Sequence, residues 1–190
     1  MIDKLMITAH PDDEALFGGA ELLSYPKEYK VVVVDEYHDK IRRKEFKASM
    51  KFIGIKEYEH WTGYKGGEDY HREKLIYELL RVLRERKYTK IVTHNKQGEY
   101  GHPRHRALHD ILNHLRPDIL WQFDKGKDRL HNDILILKLN LNLLYLYYYI
   151  YFPLFYYLLY HTYNNFLFFF FFFLNIHLYD NNIINYAVYN

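Results

Sequence analysis

Cysteine is absent, which excludes disulfide frameworks and thiolate metal sites alike. Any metal bound by this chain must be held by His, Asp or Glu. An excess of one charge is lacking too, since 26 Lys and Arg stand against 24 Asp and Glu. That balance points to neither nucleic acid nor an acidic partner, and no nucleic-acid module is visible. The start, "MIDKLMITAH", has no uninterrupted apolar run, because Asp3 and Lys4 fall inside it. It reads as a first strand rather than a secretory signal. No internal repeat is visible. Glycine and charge are also missing from one end. All 9 glycines lie before His131, and from Asn132 onward the only charged residues are Asp133, Lys138 and Asp180.

What is present divides accordingly. Residues 1–131 have the mixed composition of a globular domain, and the chain of 190 residues is long enough for one domain with a real core. "KLMITA" (Lys4 to Ala9), ended by Pro11, suits a buried parallel strand, and "KVVVVDEY" is a β-branched second strand. Between them Glu14 to Ser24 reads as one helix, stopped by Pro26. "IRRKEFKASMKFIG" places Ile41, Phe46, Met50 and Ile53 at helical spacing, with Gly54 as its stop. "YEHW" is a candidate third strand, followed by the loop "GYKGG". A helix then carries Leu75, Ile76, Leu79, Leu80 and Leu83 on one face. "KIVTHN" is a fourth strand, "RHRALHDILNHL" a helix closed before Pro117, and "DILWQF" a fifth strand. Strands alternating with helices predict a parallel sheet covered on both sides. Ligands of such sheets bind beyond the carboxyl ends of the strands, where the strand order reverses. If the first and fourth strands are neighbours there, the loops that follow them open onto one crevice.

Those two loops hold the chemistry. "HPDDE" puts a histidine and three consecutive acids directly after strand one, and "HNKQGEYGHPRH" follows strand four. Adjacent carboxylates repel, so a positive partner among them is expected. Catalytic zinc takes three protein ligands and leaves a fourth position open. His10 and Asp13 share a tight turn and can converge on one ion, while His102 and His105 lie on one side of a helix start. Either of these could be the third ligand, which leaves Asp12 and the other histidine for proton transfer. The bland alternative makes Asp12 or Asp13 a helix cap with Glu14 in the first turn, and the HxxH a surface pair. Both motifs together, each after an apolar strand, favour the metal. His109 and His114 read as solvated helix positions, and Trp61 and Trp121 as core; His94, at the mouth of strand four, could touch the site but reads more simply as structural.

"AHPDDE" after a first strand, with "GHPRH" after a later one, resembles the PIG-L/LmbE family of zinc-dependent de-N-acetylases. "RRKEFKASMKFIGI" and "YTKIVTHN" extend the likeness over about residues 1–128. The resemblance implies an α/β, Rossmann-like parallel sheet with helices on both faces. It also implies removal of acetyl from an N-acetylglucosamine-type conjugate such as a glycolipid or glycosyl-inositol. Its metal would be zinc, one ion per chain, with another divalent metal such as Fe2+ as the alternative. Carried over by position, His10, Asp13 and His105 would be the ligands, and Asp12 the general base for the attacking water. His102 would stabilise the tetrahedral intermediate or protonate the leaving amine. Tyr100 would polarise the acetyl carbonyl, and Arg42 would grip the sugar-bearing substrate. Arg104 departs from the bacterial "HPDH" and is taken as a substrate-subfamily difference.

Residues 132–190 form a separate low-complexity tail, rich in Phe, Tyr, Leu, Ile and Asn. Three readings of it compete. An out-of-frame reading of A/T-rich sequence would give this alphabet, because those residues have codons of A and T alone. "LLYLYYYIYFPLFYYLLY" (Leu143 to Tyr160) is about the ~20 residues of a membrane span, though Pro153 interrupts it. The third reading makes the tail the rest of the family's sheet. The expected location is therefore cytoplasmic, or membrane-associated through the tail. A remnant that binds metal without turnover, or a membrane-attached interaction protein, is the alternative function.

Overall fold

The computed structural model describes residues 1–65, 71–125 and 186–189. Five parallel strands build its sheet: β1 (Lys4–Thr8), β2 (Tyr29–Val34), β3 (Glu57–Trp61), β4 (Lys90–Thr93) and β5 (Leu120–Lys125). A sixth strand, β6 (Tyr186–Tyr189), runs antiparallel to β5, and the order is β3-β2-β1-β4-β5-β6. The order reverses between β1 and β4, which are neighbours in register from Lys4↔Lys90 to Met6↔Val92. The α/β architecture expected from the sequence is thus the one found. Of the tail, β6 alone is described, and Leu143 to Tyr160 lies outside the described residues. Among the described residues no helix is long and apolar enough to cross a membrane.

A strand covered on both faces has no polar side to expose, which is why β2 reads "YKVVVV" and is buried along its whole length. Alternation then sends side chains to two separate cores. Leu5, Ile7, Val32 and Val34 pack on one face with Leu75, Leu79 and Val82 of α4 (Arg72–Glu85) and Leu108, Ile111 and Leu112 of α6 (Pro103–Leu115). Met6, Val31, Val33 and Val92 pack on the other with Phe46, Met50 and Ile53 of α3 (Lys40–Ile53). Asp39 caps α3, its Oδ1 accepting from the Ile41 and Arg42 amides at 2.6 and 3.3 Å. Gly54, at φ 90°, ends it.

Two expectations need correction. Ile41 is exposed, not part of the α3 core face. Five residues separate it from Phe46, a rotation of about 140° at helical pitch, whereas Met50 and Ile53 follow at four and three. The first helix is also not continuous. It breaks into α1 (Asp13–Leu16) and α2 (Gly19–Ser24) around Gly18. A Cβ there would lie 2.5 Å from Met6 Sδ, so the break lets the chain rest directly on β1.

Candidate metal centre

β1 and β4 end side by side, and the chain leaving each one turns into the same crevice. After β1, Asp12 adopts φ 120°, a left-handed backbone rare for a residue with a side chain. This folds Asp13 back under His10, whose amide donates to Asp13 Oδ2 at 2.8 Å. Neither acid caps α1 through its side chain, so the helix-cap alternative does not hold. Glu14 does stand in the first turn of α1. It is fully buried, accepting from the Asp12 amide at 3.0 Å and from Ser49 Oγ at 3.1 Å, and so ties the turn to α3.

After β4, the single-turn α5 (Gly98–Gly101) leads through His102 into α6. Pro103 at the first turn suits a helix start, where an amide hydrogen would have no partner. His102 caps α6, its Nδ1 accepting from the Arg104 amide at 3.3 Å. One turn on, His105 points its Nε2 into the crevice, 3.1 Å from His10 Nδ1 and 3.3 Å from Asp13 Oδ2. His10 Nδ1 and Asp13 Oδ2 are 3.0 Å apart.

Three donor atoms from two distant loops therefore face one point. Bonds of about 2.0–2.1 Å to a tetrahedral zinc would set ligand atoms roughly 3.3 Å apart, so this donor set fits the ion. The electrostatics agree. Although burial works against a charge on Asp13, its contacts with His10, His105 and His94 hold it well below the usual carboxylate range. Burial also opposes charge on His105, yet Asp13 and Glu99 raise that ring to about 9. A centre that gathers positive charge onto a buried imidazole has an excess of negative groups for a cation to neutralise. His102 lies beside the set, its ring 4.7 Å from that of His10 and 4.6 Å from that of His105. Burial and the two neighbouring imidazoles push it down to about 4.

The remaining expected residues ring this point. Asp12 Oδ2 accepts from Arg42 Nη2 at 3.1 Å, and Arg42 also donates to the Pro11 carbonyl at 2.8 Å. Desolvation and the Asp13 carboxylate push Asp12 up to about 8, against the pull of Arg42. Arg42 Nε is buried with no hydrogen-bond partner among the described residues. Tyr100 stands at the rim, 69 % exposed, its ring 5.4 Å from His105 and 5.8 Å from His102.

Sequence reasoning misses the part played here by Glu99, His109 and Arg104, and leaves His94 between the site and a structural role. Glu99 lies behind His94 and His105 and accepts from both rings. His94 is structural as expected, but it is built into the centre's wall, stacked on His105 at 3.7 Å. His109 is buried rather than solvated, donating through Nδ1 to the His94 carbonyl at 2.9 Å. Arg104 is buried as well, reaching Glu36 Oε2 at 3.3 Å and the carbonyls of Val34 and Tyr64 at 3.5 and 3.3 Å. It braces α6 against the loops after β2 and β3. His109 sits four residues after His105 on α6, so the helical spacing alone could have placed it on the inner face.

The family model described as PIG-L, GlcNAc-PI de-N-acetylase, matches residues 5–116. The chain belongs to the PIG-L family. All seven expected site residues, and Glu99 with them, fall inside the PIG-L match. An uncharacterized protein of Acanthamoeba polyphaga mimivirus is 30% identical over 155 residues, covering 72% of this chain and 68% of the viral one. A 1D-myo-inositol 2-acetamido-2-deoxy-alpha-D-glucopyranoside deacetylase of Streptomyces avermitilis is 26% identical over 147 residues, covering 56% of this chain and 50% of its own. Among solved structures, the N,N'-diacetylchitobiose deacetylase of Pyrococcus horikoshii superposes with a TM-score of 0.59 at 16% identity, over 75% of this chain and 69% of that one. At that identity the likeness is one of fold.

Proposed function

We propose that this chain is a zinc-dependent hydrolase that removes acetyl from an N-acetylglucosamine-type sugar conjugate, releasing acetate and a free amine. One observation carries the reading: His10, Asp13 and His105 converge at the strand-order reversal with Asp12 and His102 beside them. The family description and the activity printed for the Streptomyces relative support the substrate class. The three converging residues would hold the ion. When bound, it supplies Lewis-acid polarisation of an amide carbonyl and lowers the pKa of a water from about 15.7 toward ~7.

The chain's own residues account for the rest. Asp12 is the general base, its carboxylate aimed by the Arg42 guanidinium at 3.1 Å. As water oxygen bonds to the acetyl carbon, Asp12 takes the proton. His102 accepts the Arg104 amide on Nδ1, so its neutral ring carries hydrogen on Nε2. That hydrogen is donated to the oxyanion and stays on the ring. The proton taken up by Asp12 passes to the departing nitrogen as the C–N bond breaks, which restores the carboxylate. Tyr100 at the rim adds a second donor to the carbonyl. Arg42, held at the crevice by Asp12 and the Pro11 carbonyl, is the cation that would grip the sugar-bearing substrate. Arg104 is engaged by Glu36 and two carbonyls and takes no such role.

The test is zinc content per chain for the wild type and His105→Ala, with acetate release from acetamido-sugars measured on the same samples. About one zinc and turnover in the wild type, and neither in the variant, is the expected result. A folded wild type without zinc overturns the reading.

A further inference from the structure

We propose that Glu99 is a positioning residue for the metal centre: one buried carboxylate oxygen fixes the rings of both His94 and His105. This rests on the reading of His105 as a ligand. Glu99 Oε2 accepts from His105 Nδ1 at 2.6 Å and from His94 Nδ1 at 2.9 Å, and all three side chains are fully buried. His94 has no freedom in this arrangement. Its Nε2 accepts the Ala9 amide at 3.0 Å, so the ring must carry hydrogen on Nδ1 and give it to Glu99. Its Nε2 lone pair is thereby spent on the backbone, and His94 is a strut between the end of β1 and Glu99, not a fourth ligand. His105 receives the complementary assignment. With Nδ1–H directed to Glu99, its Nε2 lone pair faces His10 and Asp13, the tautomer that metal binding needs.

The carboxylate is anchored in turn. Glu99 Oε1 accepts the Asn95 amide at 2.8 Å, Asn95 Oδ1 accepts the Glu99 amide at 3.0 Å, and Asn95 Nδ2 donates to the Phe123 carbonyl of β5 at 2.9 Å. The backbone of Glu99 sits at φ 57°, ψ −61°, between glycines at φ 70° and φ 91°. Glycine reaches that strained conformation at less cost than any residue with a Cβ. A chain that needed only the turn would do better with a third glycine. The side chain is what the position keeps, at the expense of the backbone.

That conflict gives a clean experiment on the full chain. Glu99→Gly relieves the backbone while deleting the acceptor; Glu99→Gln keeps the length but leaves one acceptor oxygen for three donors. Zinc affinity is measured by competition with a chelator, and the tautomers of His94 and His105 by long-range 15N correlation on metal-free protein at about pH 10, where the His105 ring, raised to about 9, is neutral. Glu99→Gly should weaken zinc by roughly 10–100-fold and lose the single Nδ1–H tautomer of His105. Glu99→Gln should fall between it and the wild type. If both variants bind zinc within about twofold of the wild type and keep the same tautomers, the proposal is overturned. Should the wild type bind no zinc, the metal reading falls, and the tautomer measurement still decides whether Glu99 holds the two rings.

Discussion

At the scale of single residues, Asp12 and Asp13 are neighbours in sequence with opposite environments. Asp13 is buried against three imidazoles, and Asp12 is turned away from it by a backbone at φ 120°, toward Arg42. Asp13→Ala should therefore abolish metal binding, whereas Asp12→Ala should retain the metal and lose at least about 100-fold in turnover. Metal content and initial rates on the two proteins check both halves, and an active Asp12→Ala would remove it as general base. The three converging residues are legible in the sequence because "HPDDE" and "HPRH" express their geometry as spacing. Glu99 is not, because its role depends on a strained turn that no pattern of residue types announces. Arg104 misleads for a related reason: its departure from "HPDH" reads as a substrate-subfamily difference, and only the fold brings Glu36 and two carbonyls to it.

Elements set where those residues stand. β1 and β4 deliver the two loops, and the apolar runs that mark them as strands are plain in the sequence. The strand-order reversal between them is an inference from topology, which the sheet bears out. The break between α1 and α2 is harder to read, since the close approach of Gly18 to Met6 joins residues in different elements. α3 matters to the site through its first turn, which carries Arg42 and is closed by Asp39. Removing that cap in Asp39→Ala should lower stability by about 1 kcal/mol. A thermal or urea transition measures this, and an unchanged midpoint would show that the cap contributes nothing. The rate should fall with it as Arg42 loosens its hold on Asp12.

For the whole molecule, a charge network far from the crevice joins β2, β3 and α4. Lys30 and Arg81 both pair with Glu59 and with Glu85, and Trp61 Nε1 donates to Glu59 at 2.7 Å. Burial works against the Glu59 charge, but Arg81, Lys30 and Trp61 outweigh it and hold the carboxyl down to about 2. A carboxyl depressed in the folded state stabilises fully above its ordinary value near 4.5 and loses that contribution as pH falls toward about 2. Glu59→Gln should therefore be less stable than the wild type at neutral pH by about 1–2 kcal/mol after solvent screening. The difference should shrink between roughly pH 4.5 and 2. Urea unfolding across that range tests the sign: a gap that widens on acidification would contradict the network.

The sheet also has an order in time. Strands β1 to β5 follow one another through short helical crossovers within residues 4–125, and every residue proposed as a ligand or for proton transfer lies between His10 and His105. β6 pairs with β5 from far along the chain, a sequence separation whose closure costs more entropy than that of any crossover before it. During synthesis the reactive centre can thus be assembled while the last strand is still inside the ribosome, and the edge of the sheet is sealed around chemistry already in place.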